Sequence, residues 1–184
     1  MKNKQFIIAA GLIALAAVSR VLSAEYHWYN FAPVVAIGLV STVVLKDKRL
    51  AIAIALLGQF AADLYFQLFP MPGFTNMGFY GVAQFFTYAG LIAAASFGTF
   101  MKKPGALQIA GYTIGASSIF FLLSNMGYFV QGWNGYTFQG LVKTYVDAIP
   151  FYRNSFAGDL IGSAVLFGAY FLYKKITAAR LQVA

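Results

Sequence analysis

The sequence has no cysteine, a single histidine (His27) and only five acids among 184 residues. Missing thiols exclude disulfides and thiolate metal centres. One histidine among scattered carboxylates builds no metal cage, so no cofactor is expected. Charge of either sign is scarce: 10% of residues are Asp, Glu, Lys or Arg, against about a quarter in a soluble domain. No polar stretch is long enough to fold apart from the rest. A Walker A loop is missing, so the chain hydrolyses no ATP of its own. There is no serine elbow and no acid–base constellation around the histidine, so an enzyme is not expected.

What is present is apolar. Hydrophobic residues make up 60% of the chain, and mean hydropathy is +0.71. Apolar segments fall at about 5–22, 29–45, 50–69, 79–101, 106–131 and 154–173, each near the length that crosses a hydrocarbon core of about 30 Å. Alternation with period 2 does not persist, which excludes barrel strands. The fold class expected is an all-α integral membrane protein, one six-helix transmembrane bundle over residues 1–184. A short interfacial helix is expected in the 132–153 link, with Leu141, Val142, Tyr145, Val146, Ile149 and Phe151 on its apolar face, ended by Pro150. Lys2 and Lys4 ahead of a run closing in "VLSAEY" also fit a signal peptide. Arg20 and Leu22 beside the prospective cut argue against cleavage.

The breaks between segments are of two kinds. "KDKR" (46–49) and "KKPG" (102–105) are short and basic; "SAEYHWYN", "PMPGFTNMGFYG" and "QGWNGYTFQG" are aromatic and rich in Gly and Asn. They alternate, as opposite membrane sides must. Lys2, Lys4, Lys46, Lys48, Arg49, Lys102, Lys103, Lys174, Lys175 and Arg180 share one side, and only Arg20, Lys143 and Arg153 remain for the other. The positive-inside rule then predicts cytoplasmic termini and external aromatic loops. Topology thus accounts for the net charge of +8 without nucleic acid.

Charged groups in a span cost a few kcal/mol or more and need partners or a purpose. Arg20, Asp63, Arg153 and Asp159 fall at similar depth toward the aromatic side, as ion pairs or as the lining of a pocket. Near them are His27, Trp28, Tyr29 and Asn30; Asn76 and Tyr80; Gln84; Asn125; Trp133, Asn134 and Tyr136; and Tyr152 and Asn154. An aromatic belt would decorate both faces, whereas this excess lies on one, as an outward-facing ligand site would require. The candidate ligand-binding set is Arg20, His27, Asn30, Asp63, Asn125, Trp133, Arg153, Asn154 and Asp159. His27 is the one ring nitrogen available to a metal-containing ligand such as a corrinoid or haem. Ala10 and Ala14 form a small-residue face that lets another helix approach closely, inside the bundle or from a partner.

The segments "NFAPVVAIG" (30–38), "AADLYF" (61–66), "FFLLSNMGYFV" (120–130), "GLVKTYVDAIPFYRNSFAGDL" (140–160) and "VLFG" (165–168) resemble those of bacterial six-span proteins grouped as domain of unknown function 6580. The similarity runs from about Arg20 to Tyr173. It places Asn30, Phe31, Pro33, Asp63, Asn125, Pro150, Phe151, Arg153, Asn154, Gly158 and Asp159 on that group's motifs. Thr144 stands where many members would have cysteine, so the resemblance gives no thiolate ligand here. The group is in turn similar to the S-components of energy-coupling-factor vitamin transporters. That likeness implies a bacterial inner-membrane subunit that captures a small, vitamin-like molecule between its outer loops, with 132–153 as a lid. It further implies that a small-residue first helix docks on a separate coupling subunit driven by ATPases. The other expectation is a non-transporting accessory or scaffold subunit of a larger membrane complex.

Overall fold

The computed structural model describes residues 2–71, 78–102 and 104–183; Asn76 and Lys103, named above, lie outside them. Among the described residues every regular element is a helix: α1 Lys2–Glu25, α2 Val34–Val44, α3 Lys48–Leu68, α4 Val82–Gly98, α5 Ala106–Val130 and α6 Phe138–Val183. A helix satisfies its backbone within one segment, which an apolar chain in lipid requires. Four of these, α1, α3, α5 and α6, are long and apolar enough to cross a membrane. The other two are shorter than the expected spans 29–45 and 79–101. With 11 and 17 residues, α2 and α4 rise about 17 and 26 Å.

The late start of α2 has a local cause. A residue before proline is driven out of the helical region, and Pro33 stands at the α2 N-cap. Asn30, with φ of 62°, takes the left-handed conformation that its short polar side chain tolerates. Residues 29–33 therefore run as non-helical chain along α6. The Asn154 amide donates to the Tyr29 carbonyl at 3.0 Å, Gly158 backs onto Phe31, and Gly162 backs onto Pro33. A Cβ at Gly162 would lie 2.3 Å from that of Pro33, so only glycine permits the approach. Below this point α2 is the hub, touching each of the other five helices. Its Val34 to Thr42 stretch is buried throughout, and its Val35, Leu39 and Val40 anchor the main core with Leu91, Ala116 and Phe167.

Pro150 does not end a helix. It lies inside α6, which runs unbroken for 46 residues, about 69 Å. Its 138–153 portion is no separate interfacial helix: it continues α6 and stands alongside α5. The Tyr145 hydroxyl donates to the Leu122 carbonyl at 2.8 Å, Phe121 stacks on Tyr152, and the Tyr152 and Ser118 hydroxyls are 3.0 Å apart. Packing on both sides of Pro150 holds the register that the lost hydrogen bond would otherwise break. The link shrinks to 131–137, and Thr137 Oγ1 accepts the Gly140 N–H at the helix start. The inward stripe is Gly140, Thr144 and Ala148; Val142, Val146 and Ile149 of the expected apolar face point away from the bundle and are exposed, whereas Phe151, half-exposed, borders the aromatic-end cavity.

The two kinds of loop gather at opposite ends. At the basic end Lys48, Lys102 and Lys174 border one cleft, and the Lys4 ammonium meets the Tyr173 hydroxyl. At the aromatic end Tyr29, Tyr80 and Trp133 border another. On the flank, α1 packs on α3 with Ala9 and Ala16 turned inward. Gly58 faces Ala16 so closely that a Cβ would lie 2.4 Å from it.

Candidate functional site

A cavity of about 1250 Å³ opens at the aromatic end. Its floor is the α2 N-terminus, Val34 and Val35, with Asp159 beside it. Phe120, Phe121 and Tyr128 of α5 and Thr144, Ala148 and Tyr152 of α6 form one wall; Arg20, Gln59, Phe66 and Tyr80 form the other. Tyr29, Asn30, Trp133 and Asn134 stand at the mouth. Aromatic rings, side-chain amides and hydroxyls recur around its lining. Residues 29, 30 and 32, outside any helix, line this polar space.

Asp159 is 2% exposed. One carboxylate oxygen accepts the Ala36 N–H at 3.2 Å and the other the Ser117 hydroxyl at 2.8 Å. The first turn of α2 has no side-chain cap of its own, so its orphan N–H groups draw a carboxylate from another helix. This acid anchors the half-length helix.

Asp63 has no exposure at all. Its carboxylate accepts from Arg20 Nη2 at 3.1 Å, Gln59 Nε2 at 3.1 Å, Gln84 Nε2 at 3.2 Å and the Tyr88 hydroxyl at 2.8 Å. Arg20 Nη1 donates to Gln59 Oε1 at 2.7 Å. The network joins α1, α3 and α4 behind the cavity wall. Four donors on one carboxylate offset the desolvation of a buried pair. With its two terminal nitrogens engaged, Arg20 faces the cavity as half of a neutral pair.

Of the residues expected to bind a ligand, Arg20, Asn30, Asn125, Trp133 and Asp159 line the cavity. Asp63 is sealed behind Arg20. His27 sits in the 26–33 loop with Nδ1 2.7 Å from the Tyr29 hydroxyl, outside the lining. Asn154 uses its amide on Tyr29, and Arg153 is exposed outside the cavity. Arg20 and Asp63 form an ion pair, whereas Arg153 and Asp159 do not meet. Ala10 and Ala14 are exposed on α1. Gln59, Tyr88 and Ser117 escaped the sequence reading. A signal existed for two of them: Gln59 with Asp63, and Gln84 with Tyr88, are polar pairs four apart in apolar helices, hence on one face.

A family model described as "Family of unknown function (DUF6580)" matches residues 1–180. No curated protein and no solved structure matches the chain.

Proposed function

The chain belongs to this family of unknown function, and from that premise we propose that it is the substrate-binding membrane subunit of a small-molecule uptake system. The observation that carries the reading is the cavity of about 1250 Å³ with its aromatic walls and amide edges, a size and chemistry suited to a vitamin-like ligand. Its lining Arg20 is paired with Asp63 and its lining Asp147 with Lys143, which favours an uncharged or weakly charged heteroaromatic molecule held between rings. Asn30, Asn125 and Trp133 orient it at the mouth.

The arrangement proposed is S-component-like, with six crossings, both termini cytoplasmic and the cavity facing out from a bacterial inner membrane. Five non-helical residues, 29–33, add up to about 17 Å of reach to the rise of α2. Together they complete a crossing that the helix alone does not. Ala10 and Ala14, exposed on α1, would meet a coupling subunit that draws on separate ATPases. The same exposed face also favours a second reading, an accessory subunit of a larger membrane complex.

Mass spectrometry of small molecules released from the purified protein separates the two. Uptake predicts a stoichiometric metabolite that Asn125→Leu diminishes while the folded yield holds. A well-folded protein that is empty after growth in several media would sink the uptake reading and leave the accessory one.

A further inference from the structure

At the basic end a second cleft, of about 440 Å³, is bordered by Lys48, Lys102 and Lys174. The three lysines come from three places in the chain: the start of α3, the α4–α5 turn and the far part of α6. Among the described residues no acid borders the cleft. Asp47, adjacent in sequence, is committed to capping α3, where it accepts the Arg49 and Leu50 N–H groups. Gly105 on the rim is the N-cap of α5, a helix with no side-chain cap and no acid in its first turn. Its first N–H groups therefore add partial positive charge on the same side.

Two of the lysines are already held. The Lys48 ammonium bonds the carbonyls of Thr42 and Leu45 at the α2 C-terminus. Lys174 lies 5.6 Å over the Tyr170 ring. Held ammonium groups lose less freedom when an anion arrives than free surface lysines do. Val43, Met101 and Phe171 give the cleft an apolar side. A phosphate next to an apolar surface, where helices leave the hydrocarbon, is the chemistry of a phospholipid headgroup above its acyl chains.

We propose that this cleft is a phosphate-ester site, and that its occupant is an anionic phospholipid. Lys48, Lys102 and Lys174 take the phosphate oxygens and the Val43–Met101–Phe171 side takes the upper acyl chain. The site is independent of the cavity at the opposite end.

Native mass spectrometry of the full chain in detergent, equilibrated with equal phosphatidylglycerol and phosphatidylcholine of matched chains, tests it. The wild type should prefer phosphatidylglycerol by at least about tenfold, a difference of ~1.4 kcal/mol. Lys102→Gln with Lys174→Gln should bring that preference close to parity. Lys46→Gln with Arg49→Gln, equal in charge removed but outside the cleft, should leave it in place. Inorganic phosphate is the second arm. Thermal stabilisation by phosphate alone, matching that by the lipid and lost with Lys102 and Lys174, keeps the phosphate site but overturns the lipid as its occupant. No preference in the wild type, or equal loss in both double variants, overturns the site.

Discussion

A carboxylate with no exposure is held by its donors or not at all, and Asp63 has four. Its partner is less deeply placed: the Arg20 side chain retains 25% exposure on the cavity side. That asymmetry predicts unequal single substitutions. Arg20→Met strands a buried charge and should cost about 3–5 kcal/mol. Asp63→Asn leaves an arginine that can still reach water in the cavity, and should cost less. The double variant Arg20→Met, Asp63→Asn should recover much of the first loss. Thermal unfolding of the four proteins in detergent measures the cycle; additive losses would mean that the pair contributes nothing as a pair. The sequence placed Arg20 and Asp63 at one depth but left open whether they pair or line a pocket, because hydropathy does not say which helices are neighbours. Arg153 and Asp159 form no second pair, for a reason of angle. Arg153 and Asp159 are six residues apart on one helix, about 240° around it at 100° per residue, so they face different neighbours. Asp159 instead meets the partial positive charge at the bare end of α2.

Among the elements, α2 and α6 depart furthest from their hydropathy, each at a proline. In "NFAPVVAIG" the apolar run hides the break, yet Pro33 marks it, and the true helix begins one residue later. In "DAIPFYR" the proline invites a break that does not occur. A local rule about proline weighs about 3 kcal/mol, and contacts with α5 on either side outweigh it. Such contacts join residues 23 or more apart in sequence, so no local pattern announces them. The consequence is testable at the proline itself. Pro150→Ala restores an N–H aimed at the Val146 carbonyl in a helix already formed, and should raise the unfolding temperature by an amount equivalent to about 1–3 kcal/mol. A helix that truly ended there would gain nothing from the change. Circular dichroism at rising temperature, in one detergent, distinguishes the two.

For the whole molecule, the alternation of basic and aromatic breaks was the most legible feature, because chain direction must reverse at every turn of a bundle. The fold respects it: the lysine cleft and the aromatic cavity occupy opposite ends. Which end meets the cytoplasm decides the proposed function, since uptake needs the larger cavity outside. The lack of native cysteine makes this direct to read. Lys46→Cys and Trp133→Cys each place one thiol at an exposed site, at the basic and the aromatic end respectively. A membrane-impermeant maleimide applied to intact cells should label Trp133→Cys, and Lys46→Cys only after the membrane is opened. Ten of thirteen cations on one side make that the outcome expected. The reverse pattern would turn the cavity inward, where it cannot capture a nutrient. The lysine cleft would keep its chemistry in the other leaflet, and the accessory reading would be the one to pursue.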